Sequence, residues 1–367
     1  MARFLIGTIP AVGHVNPALP IARKLVERGH EVWWYTGEEF QSNVEATGAR
    51  YVPIVNAFDP SDPKKMPESV LEKRKTLQGI AKVKFEFKHF IVDGAVGQVK
   101  DYTDILRQFP ADVLLSDFAF LGASWVHEKG GPPCQKSFFD AVVSPYLYLQ
   151  GTVPAFEYPR SDLPRQVHFV GPLLSAPPAD FTPPTWWDDL QGDRPVILVT
   201  QGTVATDLDE LIVPTLQALA DEDVLVVATT GGQPIESITL AQYPANVRIK
   251  PFIPYSRLLP QVDVMVTNGG YNGVQMALAN GVPLVVAGQT EDKPEVCARV
   301  QWSGVGINLK TNKPTPTQIR DAVKQIRHIS HYRQKAQHFQ AEIARYDAPT
   351  LSATLLEQLA ATQQPVT

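Results

Sequence analysis

Apolar positions along this chain gather in short continuous runs rather than in strict alternation. Arg3-Phe-Leu-Ile-Gly7, Glu31-Val-Trp-Trp-Tyr35, Arg50-Tyr-Val-Pro-Ile54 and Asp112-Val-Leu-Leu-Ser-Asp117 each read as a strand. Strands apolar on both faces belong to buried parallel sheets. Between them the spacing turns helical. Leu19, Ala22, Leu25 and Val26 recur at intervals of three and four, with Pro17 expected to open the helix and Gly29 to stop it. Phe118 to Lys129 has the same helical character. Strand and helix in alternation predict βαβ units and an α/β fold.

Gly171 to Pro184 breaks the rhythm with five prolines (Pro172, Pro177, Pro178, Pro183, Pro184) and reads as a stiff linker. The pattern then restarts at Val196–Thr200, Val224–Ala228, Val247–Pro251, Val262–Val266 and Pro283–Ala287. With 367 residues, the chain has room for two domains with substantial cores. The expected division is 1–170, a linker at 171–190, a second domain at 191–345, and a terminal helical segment at 346–367. Two doubly wound sheets bind ligands beyond the carboxyl ends of their strands, so the residues there carry the candidate chemistry.

One such edge lies at Asn268-Gly269-Gly270, where a strand gives way to a helix beginning near Asn272 and Gly273. Glycines let backbone turn and approach a ligand, and a helix start offers unpaired N–H groups to a phosphate. The polar loop Gln289-Thr-Glu291-Asp292-Lys293 follows the next strand and is of a size to hold a sugar. Asp292 reads equally as the N-cap of a helix from Pro294 to Ser303. Gly13-His14-Val15-Asn16-Pro17 follows the first strand, and a histidine there can take a proton from a hydroxyl at neutral pH. Asp117 ends the strand from Val113 to Ser116, again at a carboxyl edge, where it can cap the helix near Ala119. Gly202-Thr203 after a strand reads as a plain turn. Phe252 and Ile253 read as ordinary apolar core.

These residues resemble the donor signature of family 1 glycosyltransferases, His-Gly-Gly-x-x-Ser-x-x-Glu, then Gly-Val-Pro, then Asp-Gln. Gly269, Gly270, Gly281, Val282, Pro283 and Asp292 match it, whereas Asn268, Gly273, Met276 and Lys293 stand where His, Ser, Glu and Gln are usual. Gly13-His14 and Pro17 are similar to the family's Gly-His-x-x-Pro. The resemblance implies the GT-B fold: two Rossmann-like domains facing a central cleft, with the terminal helix packed back on the first. It also implies His14 as catalytic base, Asp117 as its partner, and inverting transfer without a metal. Donor contacts then fall to Gly13, Gly202, Thr203, Phe252, Ile253, Asn268, Gly270, Asn272, Gly273, Gln275, Glu291, Asp292 and Lys293. Gln275 enters because Met276 cannot accept a bond from a ribose hydroxyl. Loss of that glutamate keeps dTDP-sugars open beside the favoured UDP-sugars. No cofactor is implied beyond the sugar nucleotide, and the acceptor expected is a small apolar alcohol.

A net charge of −5 argues against nucleic acid as a partner. No apolar run reaches membrane-spanning length and the start lacks a secretory pattern, so a cytoplasmic enzyme is expected. The basic run Lys73, Arg74, Lys75, Lys82, Lys84 and Lys88 reads as a solvated helix face rather than a membrane contact. Cys134 and Cys297 are too far apart in sequence for a metal motif, and unpaired thiols are the expectation. Asp207-Leu-Asp209 has the form of a metal motif but reads as helix-start acids. Gly130-Gly-Pro-Pro133 runs abruptly into Cys134, which suggests that a segment is missing there. Two rival functions share these features, a sugar-nucleotide epimerase and a non-catalytic helper subunit.

Overall fold

The computed structural model describes every residue except 60–67, 78–80, 82–83, 86, 118, 128–143, 175–180, 203–206 and 241. Thr203, Cys134 and the Pro133–Cys134 junction therefore lie outside the described residues. The chain divides into two units: Met1–Gly151 with Ser161–Ser175 and Asp347–Thr367, and Thr152–Arg160 with Ala176–Tyr346. The segment Thr152–Arg160 thus goes with the second unit, whereas the sequence pattern places it within a first domain of 1–170.

In the first unit, β1 (Arg3–Gly7), β2 (Glu31–Thr36), β3 (Arg50–Pro53) and β4 (Val113–Ser116) form a parallel sheet in the order β3-β2-β1-β4. Its strands are apolar throughout because both faces are covered. Phe4, Ile6 and Trp34 pack against α1 (Val12–Glu27), which buries Val15, Ala18, Ile21, Ala22 and Leu25. Leu5, Trp33 and Tyr35 pack against α2 (Gly94–Gln108) and α3 (Leu121–His127) through Tyr102, Ile105 and Ala123. The C-terminal helix Ala348–Thr362 joins the first face through Ala353, Leu355 and Leu356. Glu357 fixes it there, accepting from Arg28 Nη1 at 2.7 Å and lying 2.8 Å from His30 Nε2. Strands β5 (Tyr148–Gln150) and β6 (Val167–Phe169) form a separate parallel pair.

Helix α1 begins at Val12, five residues before Pro17, which corrects the expectation that Pro17 opens it. The Ala11 carbonyl accepts from both His14 and Val15 at 2.9 Å to start the first turn. Pro17 and Pro20 each remove a backbone donor, yet the buried stripe from Val15 to Leu25 carries the helix across them. His14 is thereby a first-turn helical residue rather than a loop residue.

Buried Asp101 on α2 ties the loop after β3 to the sheet. Its carboxylate accepts from Tyr35 Oη at 2.7 Å and from the backbone N–H groups of Val55, Asn56 and Ala57 at 2.9–3.2 Å. Burial alone raises a carboxyl pKa, but bonds from Asn56, Tyr35 and Ala57 outweigh it and hold Asp101 below its ordinary value.

In the second unit, β7 (Val196–Thr200), β8 (Leu225–Thr229), β9 (Val247–Lys250), β10 (Val264–Thr267), β11 (Leu284–Val286) and β12 (Gly306–Asn308) form a parallel sheet ordered β12-β11-β10-β7-β8-β9. Helices α4 (Ile212–Ala218), α5 (Tyr271–Ala279), α6 (Lys293–Trp302), α7 (Pro316–His328) and α8 (Ser330–Ile343) surround it. Helix α4 starts at Ile212, so Asp207 and Asp209 sit in turns ahead of it. Asp207 accepts from the Asp209 N–H at 3.1 Å and pairs with Lys313 at 3.2 Å. No helix of the described residues is long and apolar enough to cross a membrane.

Candidate active site

The carboxyl edge of the first sheet carries the histidine and the aspartate. Strands β1 and β4 run side by side, so the segments that leave them emerge together, and the Asp117 N–H donates to the Gly7 carbonyl at 3.2 Å. His14 Nδ1 stands 3.4 Å from Asp117 Oδ1. The Asp117 carboxylate also accepts from the Ile9 N–H at 2.7 Å and from the Ala119 N–H at 2.8 Å. One carboxylate therefore braces the β1–α1 loop, caps the turn that follows β4 and faces the imidazole. The His14 side chain is 24% exposed, enough for a substrate atom to reach it. Gly13 beside it is open: a Cβ there would meet nothing within 4 Å.

At the second sheet's carboxyl edge, Gly269 has φ +82°, and a Cβ on it would lie 2.5 Å from Cys297 Sγ. Both facts require glycine. Burial pushes the Cys297 thiol up to about 11, so the sulfur packs as a neutral group under this turn. Gly269→Ala is expected to cost about 2–3 kcal/mol, with Cys297→Ala in addition recovering only part, since the positive φ remains; denaturant melts of the three variants check it.

Gly270 is the N-cap of α5, and Tyr271, Asn272 and Gly273 form its first turn. A Cβ at Gly273 would meet Met265 and Tyr255 only at ordinary contact distances of 3.7 and 3.8 Å, so the usual serine would fit here. Asn268 donates through Nδ2 to the Gln201 carbonyl, tying the loop after β10 to the one after β7. Gly202 follows with φ +72°.

Two expected donor contacts need correction. Gln275 is buried, and its Oε1 accepts from Thr152 Oγ1 at 3.1 Å, because its position on α5 turns it into the unit's interior. It cannot replace the absent glutamate at a ribose. Ile253 is 1% exposed as a whole residue and packs in the core, so it presents no surface to a ligand, whereas Phe252 is 64% exposed.

The loop after β11 leads into α6 with Asp292 at the N-cap position, where its side chain makes no capping bond. Gln289, Thr290, Glu291 and Asp292 are exposed, and Lys293 is buried. Glu291 has φ +51°, and its carboxylate pairs with Lys293 Nζ. Burial pulls the Lys293 ammonium below its ordinary pKa. Asn268 and Lys293 line one small pocket with Gln201, Glu210, Ala287 and Thr290.

Sequence reasoning missed Glu157. It accepts from Tyr271 Oη at 3.2 Å and from Arg299 Nε at 2.7 Å, bridging the first residue of α5 to α6. Nothing local marks it, since its partners lie more than a hundred residues away. No group of three metal-binding side chains occurs among the described residues.

A family described as Erythromycin biosynthesis protein CIII-like, C-terminal domain matches residues 213–359. Over 425 aligned positions the chain is 42% identical to the 4'-demethylrebeccamycin synthase of Lentzea aerocolonigenes, covering 98% of this chain and 99% of that protein. Since the chain has only 367 residues, at least 58 of those positions have no residue here. It is 28% identical to UDP-glucosyltransferase B1 of Starmerella bombicola, covering 96% of this chain and 97% of the relative. Among solved structures, the glycotransferase of kitacinnamycin superposes with a TM-score of 0.76 at 22% identity, over 97% of this chain and 98% of that one.

Proposed function

The chain belongs to the family 1 glycosyltransferases of the GT-B fold, and we propose that it moves a sugar from a nucleoside diphosphate to a hydroxyl of a small apolar acceptor, with inversion. The observation that carries this reading is the His14–Asp117 pair at the carboxyl edge of its sheet. Nδ1 of His14 faces Asp117, so proton abstraction falls to Nε2. The acceptor oxygen attacks the anomeric carbon as its proton passes to His14, and Asp117 stabilises the imidazolium that forms. The bond from the anomeric carbon to the diphosphate breaks, and the diphosphate leaves with the electron pair. First-turn N–H groups of α5 meet the charge that develops on it. The exposed Asp292 carboxylate is suited to accept from sugar hydroxyls.

UDP is the first-choice nucleotide, in keeping with the UDP-glucosyltransferase among the relatives. dTDP stays open, because Met276 and the turned-in Gln275 leave no carboxylate or amide for a second ribose hydroxyl. An apolar acceptor suits Val12, which lies two residues before His14 and is 41% exposed.

The test incubates the protein with UDP-glucose or dTDP-glucose and a panel of hydroxylated aromatic and polyketide acceptors. Nucleoside diphosphate release and product mass are measured. Release that depends on an acceptor, with a mass gain of one hexose, is expected. An isomerised sugar nucleotide without acceptor would point to an epimerase, and no release with any acceptor would point to a binding subunit.

A further inference from the structure

We propose that Lys293 supplies the positive charge that meets the donor diphosphate, and that Asn268, standing where this family usually has histidine, braces the site instead. The inference rests on the donor reading above. Asn268 is neutral, and its amide nitrogen already donates to the Gln201 carbonyl. Among the described residues that line the pocket shared with Asn268, Lys293 is the cation. The two are close neighbours: a Cβ built on Gly288 would lie 2.0 Å from the Asn268 carbonyl oxygen and 2.9 Å from Lys293 Cβ. The lysine is also pre-positioned. It is the first residue of α6 and only 9% exposed, so its stem is held by packing rather than waving in solvent.

Two acidic groups face this charge. Glu210, in the same pocket, favours the Lys293 ammonium through its own charge and is shared with Lys313, whose Nζ lies 3.8 Å away. Glu291 does pair with Lys293, but it is half exposed and held at φ +51°, a backbone region disfavoured for a side chain of its kind. That carboxylate can swing into solvent when a diphosphate takes its place on the ammonium. A buried ammonium gains more from such an anion than an exposed one, because little water competes for it. The signature has therefore moved its charge from one wall of the pocket to another.

Calorimetric titration with UDP, dTDP, UDP-glucose and uridine tests this on wild type, Lys293→Gln, Lys293→Arg and Asn268→His/Lys293→Gln. Lys293→Gln should weaken UDP or dTDP, whichever the wild type binds, by about ten-fold or more. Uridine should bind all four alike. Lys293→Arg should stay within about three-fold of wild type, which separates lost charge from lost folding. The double variant should regain most of the loss. Unchanged nucleoside diphosphate affinity in Lys293→Gln would overturn the inference, including the case where only UDP-glucose weakens, for then the lysine serves the sugar. A double variant no better than Lys293→Gln would overturn the exchange of roles. A wild-type protein that binds neither UDP nor dTDP would remove the donor reading itself, and the inference with it.

Discussion

His14→Ala should lower kcat by about a thousand-fold while leaving nucleoside diphosphate affinity where it stands in the wild type. The size follows from the role: without a base, a neutral alcohol must attack and shed its proton to water late in the reaction. Donor affinity is spared because the residues proposed to hold the diphosphate, at the start of α5 and around Lys293, belong to a different sheet edge. Asp117→Asn should show a smaller loss, on the order of ten- to a hundred-fold in kcat, since the imidazole stays but loses the charge that favours its protonated form. Steady-state kinetics with saturating acceptor separates the two. A His14→Ala enzyme with normal turnover would transfer the base role to another group.

Asp101→Asn should cost about 3 kcal/mol of stability at pH 7 without touching the chemistry directly. Three backbone N–H groups, an amide and a phenol point at this carboxylate. An asparagine turns at least one N–H toward donors that need an acceptor. The pH dependence has a fixed sign. Because the folded-state pKa of Asp101 lies below its ordinary value, the stability it confers is fully present above the unfolded carboxyl range near pH 4. It is lost as pH falls through the folded value. The gap between wild type and Asp101→Asn should stay level from about pH 7 to pH 5 and narrow below about pH 4, as read from denaturant melts. A gap that widens in acid would mean the carboxyl is protonated in the fold. Tyr35, buried against the same carboxylate, is shifted upward and stays neutral throughout this range.

Much of the fold could be read from apolar runs, since a strand covered on both faces must be apolar at every position. β1 and β7 begin and end where those runs do. The strands β5, β6 and β12 escaped notice because each is short, partly exposed and mixed with polar residues, whereas the equally short β11 is apolar and fully buried. Pro17 misled for a different reason: its local preference for a helix start was overridden by burial of the stripe that continues through it. At the site, a histidine and an aspartate about a hundred residues apart could be paired on paper through the resemblance to the family, with each following a strand. Contacts that depend on side-chain direction could not. Gln275 turns to Thr152, and Glu157 reaches α5 and α6 from a distant loop, through rotamers and packing that no spacing rule encodes.

The central claim is a direct displacement at the anomeric carbon, with the base and the leaving group on opposite faces of the sugar. Proton NMR of the product from an α-linked donor such as UDP-glucose or dTDP-glucose tests it most directly, through the coupling of the anomeric proton. The account predicts a β-glycoside; an α-glycoside formed with retention would contradict it.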